Sequence, residues 1–149
     1  MKDTEIGDDG FGEDITTNRF EKIAAERVGK EKALFVPSGV MGNIIAIMVH
    51  TKPGESLICD KKAHINTMLL VYENTNNLAG GTIVTPGKAY ELYKISKKYG
   101  LRVHLDGARI FNSAVAQHID VAELTKDCDS IMFCISKGLA SPVGSILAG

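Results

Sequence analysis

Lys137 is the residue whose placement most invites chemistry. An apolar run from Ser130 to Ile135 has the length and β-branched content of a buried strand, and it delivers this lysine into a small-residue loop, Ser136-Lys137-Gly138-Leu139-Ala140-Ser141-Pro142. An amine emerging there is expected to be poorly hydrated, and desolvation favours the neutral, nucleophilic form of an amine. Such lysines form Schiff bases with carbonyl compounds. The ordinary alternative is a solvated loop lysine, so the assignment needs partners elsewhere.

Candidate partners follow other short apolar runs. Ala33-Leu34-Phe35-Val36 leads into Pro37-Ser38-Gly39-Val40-Met41-Gly42-Asn43, ahead of an apolar helical stretch from Ile44 to His50. A strand feeding a small-residue turn that opens a helix gathers free backbone N–H groups and the positive dipole end at one spot, a cradle for phosphate. The spacing is that of neither a Walker loop nor a dinucleotide fingerprint, and a Ser-Gly turn also serves as a plain helix cap. Asp106 ends the run Leu101 to Asp106 and leads into Gly107-Ala108-Arg109. Carboxylates at such strand ends sit where α/β sheets bind ligands, although an aspartate there can equally cap a turn. His64 follows the run Ser56 to Asp60 and could stack, shuttle a proton or simply pack.

These residues need a framework to bring them together. Residues 3–17 are rich in turn formers; Thr17 or Asn18 then caps a helix with Phe20, Ile23, Ala24 and Val28 on one face and Gly29 beyond its end. Strands are expected at 33–36, 56–60, 68–72, 101–106, 130–135 and 143–147, with helices at 44–50, 88–99 and 121–125. Alternating strands and helices predict an α/β architecture, a three-layer α-β-α arrangement around a mainly parallel sheet. Ser38, Gly39, His64, Asp106, Arg109 and Lys137 all follow strand ends, so a parallel sheet would gather them along one edge. His50, His104 and His118 show no metal spacing and read as structural.

Composition narrows the class. The 149 residues are 44% hydrophobic and carry a net charge of −1, enough for one buried core and without the basic stripe of a nucleic-acid surface. Cys59, Cys128 and Cys134 lack metal-ligand spacing and fit reduced core thiols. The N-terminus resembles neither signal nor transit peptide, and no apolar run is long enough to span a bilayer, so a soluble cytoplasmic protein is expected.

An anion cradle, an aromatic histidine, a carboxylate and an amine nucleophile are together what pyridoxal phosphate requires. The segments Ile6-Gly7-Asp8-Asp9-Gly10-Phe11-Gly12-Glu13-Asp14, Ala33 to Asn43, Glu73-Asn74-Thr75, His104-Leu105-Asp106-Gly107-Ala108-Arg109 and Ser136 to Ser145 strongly resemble the threonine aldolases, in family order along nearly the whole chain. These aminotransferase-like enzymes use pyridoxal phosphate to cleave threonine or allo-threonine into glycine and acetaldehyde, and they act as homo-oligomers, dimers or tetramers, with active sites at subunit interfaces. The resemblance implies that Lys137 is the Schiff-base lysine and that Asp106 pairs with the pyridine nitrogen. It implies that Arg109 lies near cofactor and substrate carboxylate, that the His64 ring stacks on the cofactor, and that Ser38, Gly39 and Val40 form the phosphate loop. Val40 stands where threonine is usual, Phe11 where many members have tyrosine and Asn76 where many have histidine. In the implied reaction the amino acid displaces Lys137, His64 or a water near it takes the β-hydroxyl proton, and the Cα–Cβ bond breaks.

The chain also departs from the resemblance. Family members are longer at both ends, so residues 1–149 read as a partial pyridoxal-phosphate-binding large domain without the small C-terminal domain. Between His64-Ile65 and Leu70-Val71-Tyr72-Glu73, members carry an additional strand and helix. Parallel neighbours need a crossover of about a dozen or more residues. Either the strand order changes, or the loop carrying His64 is stretched, or the sequence is an incomplete translation of a longer gene. The alternative function is therefore a truncated, non-catalytic member that binds the cofactor weakly or pairs with a longer paralogue. A mononucleotide-binding α/β module fits the phosphate loop but leaves Lys137 and Asp106 unexplained.

Overall fold

The computed structural model describes residues 5–59 and 67–149. Its strands are β1 (Ala33–Val36), β2 (Ser56–Cys59), β3 (Thr67–Glu73), β4 (Arg102–Asp106), β5 (Ser130–Cys134) and β6 (Ser145–Ala148), joined in a six-stranded sheet of order β1-β6-β5-β4-β3-β2. The pairs β2–β3, β3–β4 and β4–β5 are parallel, while β6 runs antiparallel to both β5 and β1. Among the described strands only β6 therefore opposes the common direction, and the expected mainly parallel α/β sheet is present.

Strand periodicity divides the sheet into two faces. Val103 and Leu105 of β4 and Ile131 and Phe133 of β5 join a core with residues of α1 (Ile15–Arg27), α4 (Ile110–Gln117) and α5 (Val121–Thr125). The helix α3 (Pro86–Lys98) contacts β4 and α5 and adds Tyr93 to that core. The alternate residues, His104 and Asp106 of β4 and Ser130 and Met132 of β5, meet α2 (Gly39–His50) on the opposite face. Helices on both faces complete the three layers. Leu105, Ile131 and Ile146 are fully buried, each contributing about 1.5–3 kcal/mol by leaving water.

Glycine sets how closely α2 approaches the sheet. A Cβ on Gly39 would lie 3.1 Å from Cys134 Sγ, and one on Gly42 2.8 Å from Met132 Cγ. These residues are three apart and so share a helix face, which lets the first turn of α2 rest directly on β5.

Several boundaries differ from the sequence expectation for local reasons. Asp14, not Thr17 or Asn18, caps α1, because its Oδ1 accepts from the Thr17 N–H at 2.7 Å. Phe20, Ala24 and Val28 pack into the core as expected, but Ile23 is turned outward. The helix α2 begins at Gly39 rather than Ile44: Ser38 Oγ accepts from the Met41 N–H at 3.2 Å, and the glycines are needed for packing rather than for turning. The helix α4 was not anticipated, since Asp106-Gly107-Ala108-Arg109 reads as turn and the helix that follows is only 8 residues long.

The strands β2 and β3 are parallel neighbours, with Ser56 opposite Thr67 and Cys59 opposite Val71. Only residues 60–66 connect them, well short of an ordinary crossover. Of the possibilities left open by the sequence, a changed strand order is thereby removed. His64 falls in this connection and lies outside the described residues.

Candidate active site

The parallel direction of β1, β3, β4 and β5 brings their carboxyl ends to one sheet edge, where a cleft of ≈ 370 Å³ opens. The β1–α2 turn lines it with Ser38, Gly39 and Val40, β3 with Glu73, β4 with Asp106, and the segment after β5 with Ser136 and Lys137. Met132 and Cys134 lie between these walls. Polar groups from four separate stretches of sequence thus meet where open α/β sheets bind ligands.

The N-terminus of α2 supplies donors. Ser38 occupies the Met41 N–H with its hydroxyl and the Gly42 N–H with its carbonyl. Among the described residues nothing accepts from the N–H groups of Gly39 or Val40, which leaves them for an anion. The same serine is therefore both a helix cap and part of the candidate phosphate site.

Asp106 is held from two sides. Its Oδ2 accepts from Asn43 Nδ2 at 2.7 Å and its Oδ1 from the Ala108 N–H at 3.1 Å. The turn that provides Ala108 depends on Gly107, whose N–H donates to Met132 O at 2.7 Å; a Cβ there would meet Ile131 Cδ1 at 2.8 Å. Each carboxylate oxygen keeps a lone pair for a ligand donor. Beneath this turn the buried Asn74 binds the structure together: its N–H donates to Asp106 O at 2.9 Å, its amide donates to Val84 O, and its Oδ1 accepts from Ser113 Oγ of α4.

Lys137 reaches the cleft as its position after β5 predicts, but residues 136–140 are all exposed. The expected poor hydration of this amine is corrected here: the strand is buried through Ile135 and the chain leaves it for solvent at once. The loop is nevertheless shaped. Ile135 and Ser136 donate to Gly144 O, Ser141 donates to Ile135 O, and a Cβ on Gly138 would overlap the Asn112 side chain.

Arg109 stands at the N-cap of α4, half-buried, and is not among the residues lining the cleft. Sequence reasoning missed Asn43 and His104. His104 lies two residues before Asp106 on the same strand face, and Asn43 is the polar residue in the first turns of an apolar helix; both signals were present. Burial pushes the fully buried His104 down to about 4, with nearby His50 adding to the effect and Asp106 opposing it. His50 is also lowered, first by burial; Asp129 opposes this, while Arg102 and Lys97 reinforce it.

The fold is an open α/β sheet with a ligand-sized cleft at the carboxyl ends of its parallel strands, and comparison with known proteins narrows the class. The pattern that defines the beta-eliminating lyases matches residues 1–68 and 65–149, and the chain belongs to that family. Low-specificity L-threonine aldolase 1 of Arabidopsis thaliana is 33% identical over 196 residues, covering 100% of this chain and 55% of that protein. The chain spans about half the length of the curated relatives it matches. Leishmania major threonine aldolase has the same fold, with a TM-score of 0.71 at 18% identity over 85% of this chain and 50% of that one. So does an SPT solved with PLP, with a TM-score of 0.68 at 17% identity over 91% of this chain and 43% of that one.

The region aligned with the Arabidopsis relative spans 196 positions against 149 residues here, so part of that relative has no counterpart in this chain. The family match itself breaks at residues 65–68. This is where the sequence suggests an internal gap and where the structure has its short β2–β3 connection.

Proposed function

We propose that the chain is the cofactor-binding part of a pyridoxal phosphate-dependent aldolase that cleaves threonine or allo-threonine to glycine and acetaldehyde. The supporting observation is the convergence of Lys137, Asp106 and the N-terminus of α2 on one cleft. The donor set suits the cofactor: free N–H groups for a phosphate, a carboxylate with spare lone pairs for a ring N–H, and an amine for an aldehyde.

In this proposal Ser38, Gly39 and Val40 hold the phosphate. Val40 has no hydroxyl and contributes only its backbone N–H. Lys137 holds the aldehyde carbon and Asp106 holds the proton on the ring nitrogen. Bound there, pyridoxal phosphate supplies a sink for the electron pair released when the Cα–Cβ bond breaks. Arg109, at the N-cap of α4 and outside the cleft lining, would take the substrate carboxylate from the cleft's edge, and His64, or a water beside it, would take the β-hydroxyl proton.

A homo-oligomer, dimer or tetramer, belongs to the same proposal. Val40, Ile44 and Met48 recur every fourth residue on the outer side of α2 and are 69%, 51% and 72% exposed, an apolar stripe suited to a second copy. No described helix is long and apolar enough to cross a membrane. The buried, unpaired thiols of Cys128 and Cys134 favour a reducing, cytoplasmic setting.

The second reading, a non-catalytic member that binds the cofactor weakly or pairs with a longer paralogue, is favoured by the short β2–β3 connection and by the exposure of Lys137. Borohydride reduction of the chain with pyridoxal phosphate, followed by peptide mass mapping, tests the first. A pyridoxyl mass on Lys137 together with acetaldehyde release from threonine is expected. That mass without acetaldehyde supports the second reading, and label scattered over other lysines but absent from Lys137 overturns the first.

A further inference from the structure

Behind Asp106, polar side chains stand in single file. Asp106 Oδ2 meets Asn43 Nδ2 at 2.7 Å, Asn43 Oδ1 meets His104 Nε2 at 3.0 Å, His104 Nδ1 meets Ser130 Oγ at 2.8 Å, and Ser130 Oγ meets His50 Nε2 at 2.7 Å. The file crosses from β4 to α2, returns to β4, continues to β5 and ends on the last residue of α2.

Elementary chemistry fixes the direction of each bond. A carboxylate only accepts, so the amide nitrogen of Asn43 faces Asp106 and its oxygen faces His104. That oxygen also only accepts, so His104 carries its proton on Nε2. The buried ring of His104, held down to about 4, is neutral near pH 7, which leaves a lone pair on Nδ1. Ser130 must then donate its hydroxyl proton to His104, and its oxygen accepts from the His50 Nε2–H. Every donor points the same way, towards Asp106.

We propose that the file running from His50 through Ser130, His104 and Asn43 positions the Asp106 carboxylate for the ring nitrogen of pyridoxal phosphate, and that it does so without conducting protons. This rests on the cofactor reading above. Asn43 makes conduction impossible, because a carboxamide has no titratable proton to pass on. Orientation follows from rigidity. Rotation of the Asp106 carboxylate would break the 2.7 Å bond to Asn43, and Asn43 cannot follow without leaving the acceptorless Nε2–H of a fully buried His104. Asn43, His104 and Ser130 are thus positioning residues. Ser130 and His104 are 6% and 0% exposed, so the same bonds also satisfy groups that would otherwise be costly to bury.

A purely structural role and a positioning role separate by the choice of ligand. Asn43 itself lines the cleft, so the test is made one step further back, at His104, which does not. The affinities of pyridoxal phosphate and of its 1-deaza analogue, which lacks the ring nitrogen, are compared by titration of the whole chain and of His104→Leu. The wild-type chain is expected to prefer pyridoxal phosphate. His104→Leu, which frees the Asn43 oxygen, is expected to lose about tenfold in affinity for pyridoxal phosphate while holding the analogue as before, since one charge-assisted hydrogen-bond arrangement is at stake. Equal weakening of both ligands, or an intact preference in the variant, overturns the positioning role and leaves the cofactor reading standing. A wild-type chain that binds neither ligand overturns both. The ¹⁵N spectrum of histidine-labelled wild-type chain, which needs no variant, checks the direction of the file. It should show His104 neutral and protonated on Nε2 at pH 7; protonation on Nδ1 overturns the proposal.

Discussion

Gly42 and Met132 meet with no side chain between them: a Cβ on Gly42 would lie 2.8 Å from Met132 Cγ and 3.4 Å from Val36 Cγ2. This contact brings the first turns of α2 onto β5, so the candidate phosphate donors and the strand that carries Lys137 share one edge. Gly42→Val is expected to destabilise the chain by about 2 kcal/mol through overpacking, even though valine has the better helix propensity. Combining it with Met132→Ala should recover part of that loss. Urea midpoints of the single and double variants check this, and purely additive losses would contradict the contact.

Stability should fall with acid because His104 is buried neutral. Its folded value is about 4 against 6.5 for the free side chain. Between these values the unfolded chain binds the extra proton, so stability from this group is fully present above about pH 6.5 and is lost as pH falls towards 4. The loss amounts to roughly 3 kcal/mol at about 1.4 kcal/mol per pH unit. Urea titrations at pH 7.5 and 4.5 on the chain and on His104→Gln measure it. Parallel behaviour of the two proteins would show that His104 is not the group responsible.

Asp129 and the exposed helix pairs should behave differently on truncation. Asp129 is largely shielded; its Oδ2 accepts from the Val103 N–H at 2.7 Å, and Lys97 and Arg102 bind its Oδ1 at 2.9 and 3.1 Å. Asp129→Ala is expected to cost about 2 kcal/mol because a backbone donor loses its partner along with the two charges. Lys88→Ala, which breaks only an exposed pair with Glu91, is expected to stay within about 0.5 kcal/mol. Similar thermal shifts for both variants would refute the distinction.

Lengthening the β2–β3 connection tests whether its brevity is costly. Doubling an unstrained loop lowers stability by only about 0.6 kcal/mol. Parallel neighbours linked by residues 60–66 alone are far below the usual crossover length, so inserting a flexible segment of about ten residues should raise the thermal midpoint. A small fall, of the size loop entropy alone dictates, would mean that the short connection carries no penalty.

The sheet was legible because its strands are short apolar runs, several of them closed by Gly, Pro or Asp, and β1, α5 and most of β5 fall where periodicity places them. Lys137, Asp106, Ser38 and Gly39 could be brought to one cleft by topology alone, since residues that follow parallel strands share an edge; Val40 was added by the family resemblance. What sequence could not provide was exposure and depth. The small residues around Lys137 read as a tight, dry loop, whereas the chain passes straight into solvent. His50 and His104 read as unremarkable histidines because their partners, Ser130 and Asn43, are distant in sequence and meet them only through the packing of α2 across β4 and β5. Arg109, three residues from Asp106, starts α4 outside the cleft, an outcome decided by a helix too short to be read from its pattern.

The most direct measurement is the visible absorbance of the purified chain titrated with pyridoxal phosphate beside Lys137→Ala. A saturable visible band in the chain that is absent from the variant is the result predicted for a lysine and a carboxylate gathered at one sheet edge. A folded chain whose spectrum matches that of the variant at every cofactor concentration would contradict the claim that this cleft holds the cofactor.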